Sequence, residues 1–300
     1  MLTVVAAVQP VFAHGGRPHT WHDLWHSWTF EPLVVIALLI TALLFIRGTI
    51  RVWKRSGRGH GIRHWEAAVF LFGWLSLLIA LVSPLHAWGR VLFSAHMTQH
   101  EVLMLVAAPL LVLSRPLIAF TWAVPADWSQ SIKRIGKTRW LNSLWHFFTL
   151  PFVAWLIHAI ALWTWHVPRL FDAVLKYESV HTLQHLSFFL SALLFWWALI
   201  HGRQGLMGYG AAVLYVFTTS LHSGLLGAFI TFSHTLWYTG YSGLTQSWGL
   251  TPIEDQQLGG LIMWIPAGLV YIISGLALFA GWLRESEAQV VRRERAIAKG

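Results

Sequence analysis

Apolar residues in this chain do not alternate with polar ones. They come in long runs separated by short polar breaks. Seven runs approach the roughly 20 residues a helix needs to cross a bilayer: Pro32–Ile50, Trp65–Leu85, Ser94–Leu113, Phe147–Trp165, Val180–Ile200, Ala211–Phe232 and Leu258–Leu283. The pattern predicts an all-α integral membrane protein, a seven-transmembrane-helix bundle over residues 32–284. A His-bearing outer tail (14–31) precedes it and a basic tail (285–300) follows. No internal repeat or second domain is visible.

Composition agrees with this reading. The chain is 56% hydrophobic and 11% charged, against about 25% charged in soluble domains. Cysteine is absent, which removes disulfides and thiolate metal sites. Any metal must be held by His, Met, carboxylate or backbone.

The net charge of +9 is a topology signal. Seventeen of the 21 Lys and Arg residues fall at the end of or after the first, third, fifth and seventh runs, from Arg47 to Lys299. Only Arg17, Arg90, Arg169 and Lys176 fall on the other side. The positive-inside rule then predicts N-terminus out and C-terminus in, and a nucleic-acid partner is not expected. Residues 1–13, MLTVVAAVQPVFA, read either as a signal-peptide remnant cleaved after Ala13 or as an uncleaved terminus. Cleavage would leave His14 at the N-terminus, where amine and imidazole together chelate Cu(II).

Of the 17 histidines, only His60, His64, His146 and His201 lie on the basic side. His14, His19, His22 and His26 occupy the outer tail and form a candidate capture set; His86 ends the second run. His96–His100 and His181–His185 each open a run at its outer end with i,i+4 spacing, which puts both imidazoles on one helix face. Met104 continues the first face, and His166 lies on the outer half of the fourth run. Imidazole with thioether favours copper, Cu(I) especially. The order HMTQHE is not a zinc-protease motif, and no enzymatic activity is expected. The metal candidates are His96, His100, His181, His185, Met104 and His166. Supporting candidates are Glu101, as acceptor of an imidazole N–H, with His158, His222, His234 and Asp255. A lone embedded His such as His158 or His222 can equally be a hydrogen-bonding packing residue. Glu254 and Asp255 read either as helix caps or as a charged ion-uptake loop, and Asp172 as a partner of Arg169.

HMTQHEVLMLVAAPLLVLSRP, WHVPRLFDAVL, HTLQHLSFFLSALLFWW, LGAFITFSHTLWYTGY and GLTPIEDQQLGGLIMWIPAGLVY, in that order, resemble the polytopic CtaG-type cytochrome c oxidase assembly factors over about Trp65 to Leu283. The resemblance implies a bacterial plasma-membrane protein needed to make active haem–copper oxidase by delivering copper to an oxidase subunit. Its motif histidines map onto His96, His100, His166, His181 and His185, and its acidic-glutamine motif onto Asp255, Gln256 and Gln257. Two departures are Ser233-His234, where less polar residues are expected, and Gln184, where glutamate is common. Expected partners are oxidase subunits and membrane lipid, with a homodimer left open. Two other readings stand beside copper transfer. One is a haem protein with His100 and His185 as axial ligands. The other is a copper-permeation protein with Glu254–Asp255 at its mouth. The absence of Lys from the seventh run excludes a retinal protein.

Overall fold

The computed structural model describes residues 21–202 and 207–297, all in helices and connecting loops. The signal-peptide reading and the capture residues His14 and His19 lie outside the described residues, as does the side chain of His22. His26 ends a short helix, α1 (Trp21–His26), and is exposed.

Among the described residues, six helices are long and apolar enough to cross a membrane. They are α2 (Pro32–Ser56), α3 (His64–Leu81), a continuous helix over 93–113, α12 (Glu178–His201), α13 (Tyr209–Thr231) and α14 (Pro252–Ile297). The expected fourth run is broken. Helix α9 (Arg139–Phe148) and helix α10 (Pro151–Trp165) meet at a bend of 63°, and the total reaches seven only with this bent pair counted as one span. Pro151 disfavours helical geometry at Leu150, which is extended with ψ 130°. At 15 residues α10 reaches only about 22 Å, short of the ~30 Å hydrocarbon core. The last helix is longer than its apolar run and carries the basic tail as far as Ile297.

The second run also ends early. Ser83 and Pro84 stop α3 and start a short helix, α4 (Pro84–Gly89), with the Ser83 hydroxyl accepting from Leu85 N–H at 3.2 Å. That turn places His86 inside the bundle. Further along lie α7 (Leu117–Ala123), α8 (Ala126–Gly136) and α11 (Pro168–Lys176), none of which the long apolar runs announced.

The helix over 93–113 comprises α5 (Phe93–Glu101), a π-helical turn (Val102–Ala107) and α6 (Ala108–Leu113). Pro109 accounts for the turn. Ala108 N–H bonds Leu103 O, five residues back, and Pro109 has no N–H for the next carbonyl, Met104 O. The Trp196 indole on α12 donates to that carbonyl at 2.8 Å. This buried bond fixes α5–α6 against α12.

Phe188, Ala192 and Phe195 of α12, Val216 and Ile230 of α13 and Met263 of α14 belong to one large apolar cluster. The outer faces of the spans expose Leu33, Phe72, Leu214, Phe217 and Ile273, an apolar exterior suited to lipid. The two ends of the bundle differ. At the end carrying the Lys/Arg-rich loops, Arg51 donates to the carbonyls of Trp122, Ala123 and Val124 at 2.9–3.1 Å, closing α7. The opposite end gathers histidines.

Candidate metal centre

Helix α5 begins without a capping side chain of its own; Leu92 supplies none. The cap comes from α14. Asp255, fully buried, accepts from Phe93 N–H at 2.6 Å and from Ser94 N–H and hydroxyl at 3.1 and 2.5 Å. A carboxylate on a helix N-terminus satisfies orphan donors and complements the dipole. Close approach is needed, and Gly259 permits it: a Cβ there would lie 2.2 Å from the Phe93 ring. Glu254 forms a capping box with Thr251, the Thr251 N–H to Glu254 Oε2 distance being 2.8 Å. Both carboxylates are thus helix caps, one of the two readings the sequence left open.

The two glutamines that follow hold the loop over 232–251. Gln256 Oε1 accepts from Trp237 N–H, Gln256 Nε2 donates to Thr235 O, and Gln257 Nε2 donates to Ser233 O. Asp172 binds the same loop through the Thr239 hydroxyl and Gly240 N–H, in place of the expected pairing with Arg169. Tyr238 and Tyr241 of this loop pack with Phe93 and Phe171. Phe171 in turn lies 5.1 Å from the His96 ring.

Held in this way, α5 presents His96 and His100 to α12. The ring centroids of His96 and His181 are 5.2 Å apart, and those of His100 and His185 are 5.3 Å apart. Within each pair the separation is 4.3 Å. His86, noted in the sequence only as the end of a run, joins them at 5.1 Å from His181 and 6.1 Å from His185. All five imidazoles are buried. Two triads emerge, His96–His100–His185 and His86–His181–His185, each offering one atom per residue with all atoms within 4.8 Å of one another. They share His185.

Hydrogen bonds fix two tautomers. Gln184 Oε1 lies 3.1 Å from His96 Nε2. An amide oxygen only accepts, so His96 Nε2 bears the proton and Nδ1 carries the lone pair. Gln99 Nε2 lies 3.0 Å from His86 Nδ1 and donates to Ala80 O at 2.6 Å. His86 therefore accepts at Nδ1 and bears its proton on Nε2. His96 Nδ1, both nitrogens of His100, and Nε2 of His86, His181 and His185 are buried without a hydrogen-bond partner. Such atoms ordinarily cost about 1–3 kcal/mol each, and buried polar groups left unmatched call for an explanation such as an ion. His86 lies between the spans. Burial, with Arg90 nearby, lowers its pKa to about 4, so it is neutral at pH 7 and competent as a ligand.

The remaining candidates divide. His166 stands near the cluster, 6.0 Å from Phe188, with Nδ1 on Leu162 O at 2.7 Å and Nε2 unpartnered. Met104 lies in the π turn after Glu101 and belongs to the apolar cluster. Glu101 accepts no imidazole N–H; its Oε2 is buried without a partner. His158 bonds Ser191 at 3.1 Å, and His222 accepts from the Trp163 indole at 3.4 Å. His234 is exposed in the loop after α13. The structure does not bring these last three into the five-imidazole cluster. Sequence reasoning missed His86, and with it Gln99, Glu31 and Glu178. The one local signal was Ser83-Pro84, which stops the helix and turns His86 inward.

Comparisons with known proteins agree with the motif order. The chain is 26% identical over 280 residues to an uncharacterised protein of Mycobacterium leprae, covering 89% of this chain and 41% of that protein. It is 27% identical over 291 residues to an uncharacterised protein of Mycobacterium bovis, covering 93% of this chain and 43% of that one. The chain therefore spans less than half the length of these curated relatives. No solved structure matches it. The family described as cytochrome c oxidase caa3 assembly factor (CtaG) matches residues 43–285, which includes every member of the histidine cluster, and the chain belongs to that family.

Proposed function

We propose that this protein serves the assembly of haem–copper cytochrome c oxidase by holding a copper ion, as cargo, among His86, His96, His100, His181 and His185 and passing it to an oxidase subunit. The carrying observation is the set of six buried imidazole nitrogens without hydrogen-bond partners, brought together from three helices. Imidazole donors suit copper. With no cysteine in the chain, coordination by histidine alone leaves the ion exchangeable, as a handover requires. The role is binding and transfer rather than catalysis. The Lys/Arg asymmetry supports placing the cluster at the outer face of the plasma membrane.

Close ring packing favours a bare ion over haem. His100 and His185 are 5.3 Å apart, with His96 4.3 and 5.7 Å from them and His181 4.3 Å from His185, leaving no slot for a porphyrin between His100 and His185. Full-length protein purified in detergent and supplied with Cu(I) should retain copper that H96A/H100A/H181A/H185A does not, without a Soret band. Equal copper in both proteins would overturn the proposal.

A further inference from the structure

The histidine cluster is not sealed on all sides. The segment before α2 folds over the end of α3, with Thr29 N–H on Val82 O at 3.0 Å. It delivers Glu31 Oε1 to 3.7 Å from His86 Nε2. From the start of α12, Glu178 Oε1 reaches 3.9 Å from His181 Nδ1. Glu31, His86 and Glu178 offer three ligand atoms mutually within 4.8 Å. Side-chain exposure falls from 52% at Glu178 through 33% at Glu31 to 5% at His86. The carboxylates face water, and the unpartnered His86 Nε2 lies behind them.

Three sets of three groups therefore run inward: Glu31–His86–Glu178, His86–His181–His185 and His96–His100–His185. Neighbouring sets share one residue, His86 at the first junction and His185 at the second. We propose that Glu31 and Glu178 form a loading vestibule, from which a copper ion moves inward by ligand exchange through His86 and then His185 to rest on His96 and His100. This rests on the copper reading above. Sharing a ligand at each junction means that the ion never sheds its whole shell at once. The oxidation state does not change, so no reductant is required.

The ligand chemistry sets the direction. Carboxylates are hard ligands that bind Cu(I) weakly, whereas imidazole suits it, so affinity rises as each oxygen is exchanged for nitrogen. His86 is built for transit. Coordination at Nε2 requires its proton to sit on Nδ1, and so requires the Gln99 amide to give up its bond to that nitrogen. The inner triad carries no such demand, since His96 Nδ1 and both nitrogens of His100 are already without protein partners. Arg90 holds Glu178 Oε2 at 2.5 Å. An arriving ion displaces that guanidinium, whose charge then opposes a long stay in the vestibule.

The test follows transfer of Cu(I) from a chromophoric chelator to the anaerobic, detergent-purified full chain, and its removal by excess chelator. For E31Q/E178Q, loading and release should slow together by about tenfold or more, the range in which a charged cleft raises association rates. E254Q, a helix-cap change at the same end, should load at the wild-type rate. E178Q alone, at a half-exposed position, should move the rates in the same direction should the double variant fold poorly. Wild-type loading rates in both Glu variants would overturn the vestibule while leaving the copper reading intact. Loss of copper from E178Q at equilibrium would make Glu178 a holding ligand and also overturn it. A wild-type chain holding no more copper than H96A/H100A/H181A/H185A would remove both readings.

Discussion

Two groups of embedded histidines share this bundle, and they are built differently. His158 and His222 lie on α10 and α13, and each has a side-chain partner, Ser191 for one and the Trp163 indole for the other. The five imidazoles on α4, α5 and α12 lie closer together, yet six of their ring nitrogens are unmatched. In an apolar interior a polar atom without a partner is costly, so folding alone would favour the first arrangement. The second concentrates unmatched donors in one place, the arrangement on which the copper proposal rests. Neither burial nor one unmatched nitrogen separates the two groups, since His222 Nε2 also lacks a partner; the gathering of five rings into two triads does.

The largest effect should come from H185A, which removes the one imidazole common to both buried triads. Copper affinity should fall by more than the roughly 10–100-fold that loss of an outer-shell partner costs, as read by chelator competition. Retention of wild-type affinity would dissolve the distinction between the two groups. D255N comes next. It weakens the cap that holds α5 in place, and should cost about 1–3 kcal/mol, read as a lowered Tm, with a parallel loss of copper. Q184L should then lower affinity by about tenfold, since it removes the acceptor that holds His96 in one tautomer; an unchanged Tm beside that loss would mark Gln184 as a positioning residue. The smallest effect on copper should be that of H158A/H222A. Stability should fall while copper per chain stays at the wild-type value, and a halved copper content would merge the two groups into one site.

Much of this was legible because its causes are local. Long apolar runs have one stable solution in lipid, the helix, and i,i+4 spacing puts His96 with His100 and His181 with His185 on shared faces whatever surrounds them. Where the reading departed from the structure, distant atoms intervened. The helix carrying Met104 departs from α geometry because Pro109 has no N–H for the Met104 carbonyl, and Trp196, 92 residues away, takes that carbonyl. Asp255 caps α5 across 162 residues of sequence, not only its own helix. The fourth run is broken by the bend between α9 and α10, which run length alone does not reveal.

Membrane residence, helix identity and the two paired faces thus follow from composition and short-range period, because each depends on neighbours within a turn or two. The tertiary structure alone decided that the pairs meet, that His86 completes a second triad, and that Glu31 and Glu178 stand at its edge. Those facts depend on how α4, α5, α12 and the segment before α2 converge. That convergence is set by a cross-helix cap, a glycine contact and an indole-to-carbonyl bond, none of which leaves a periodic trace in the chain.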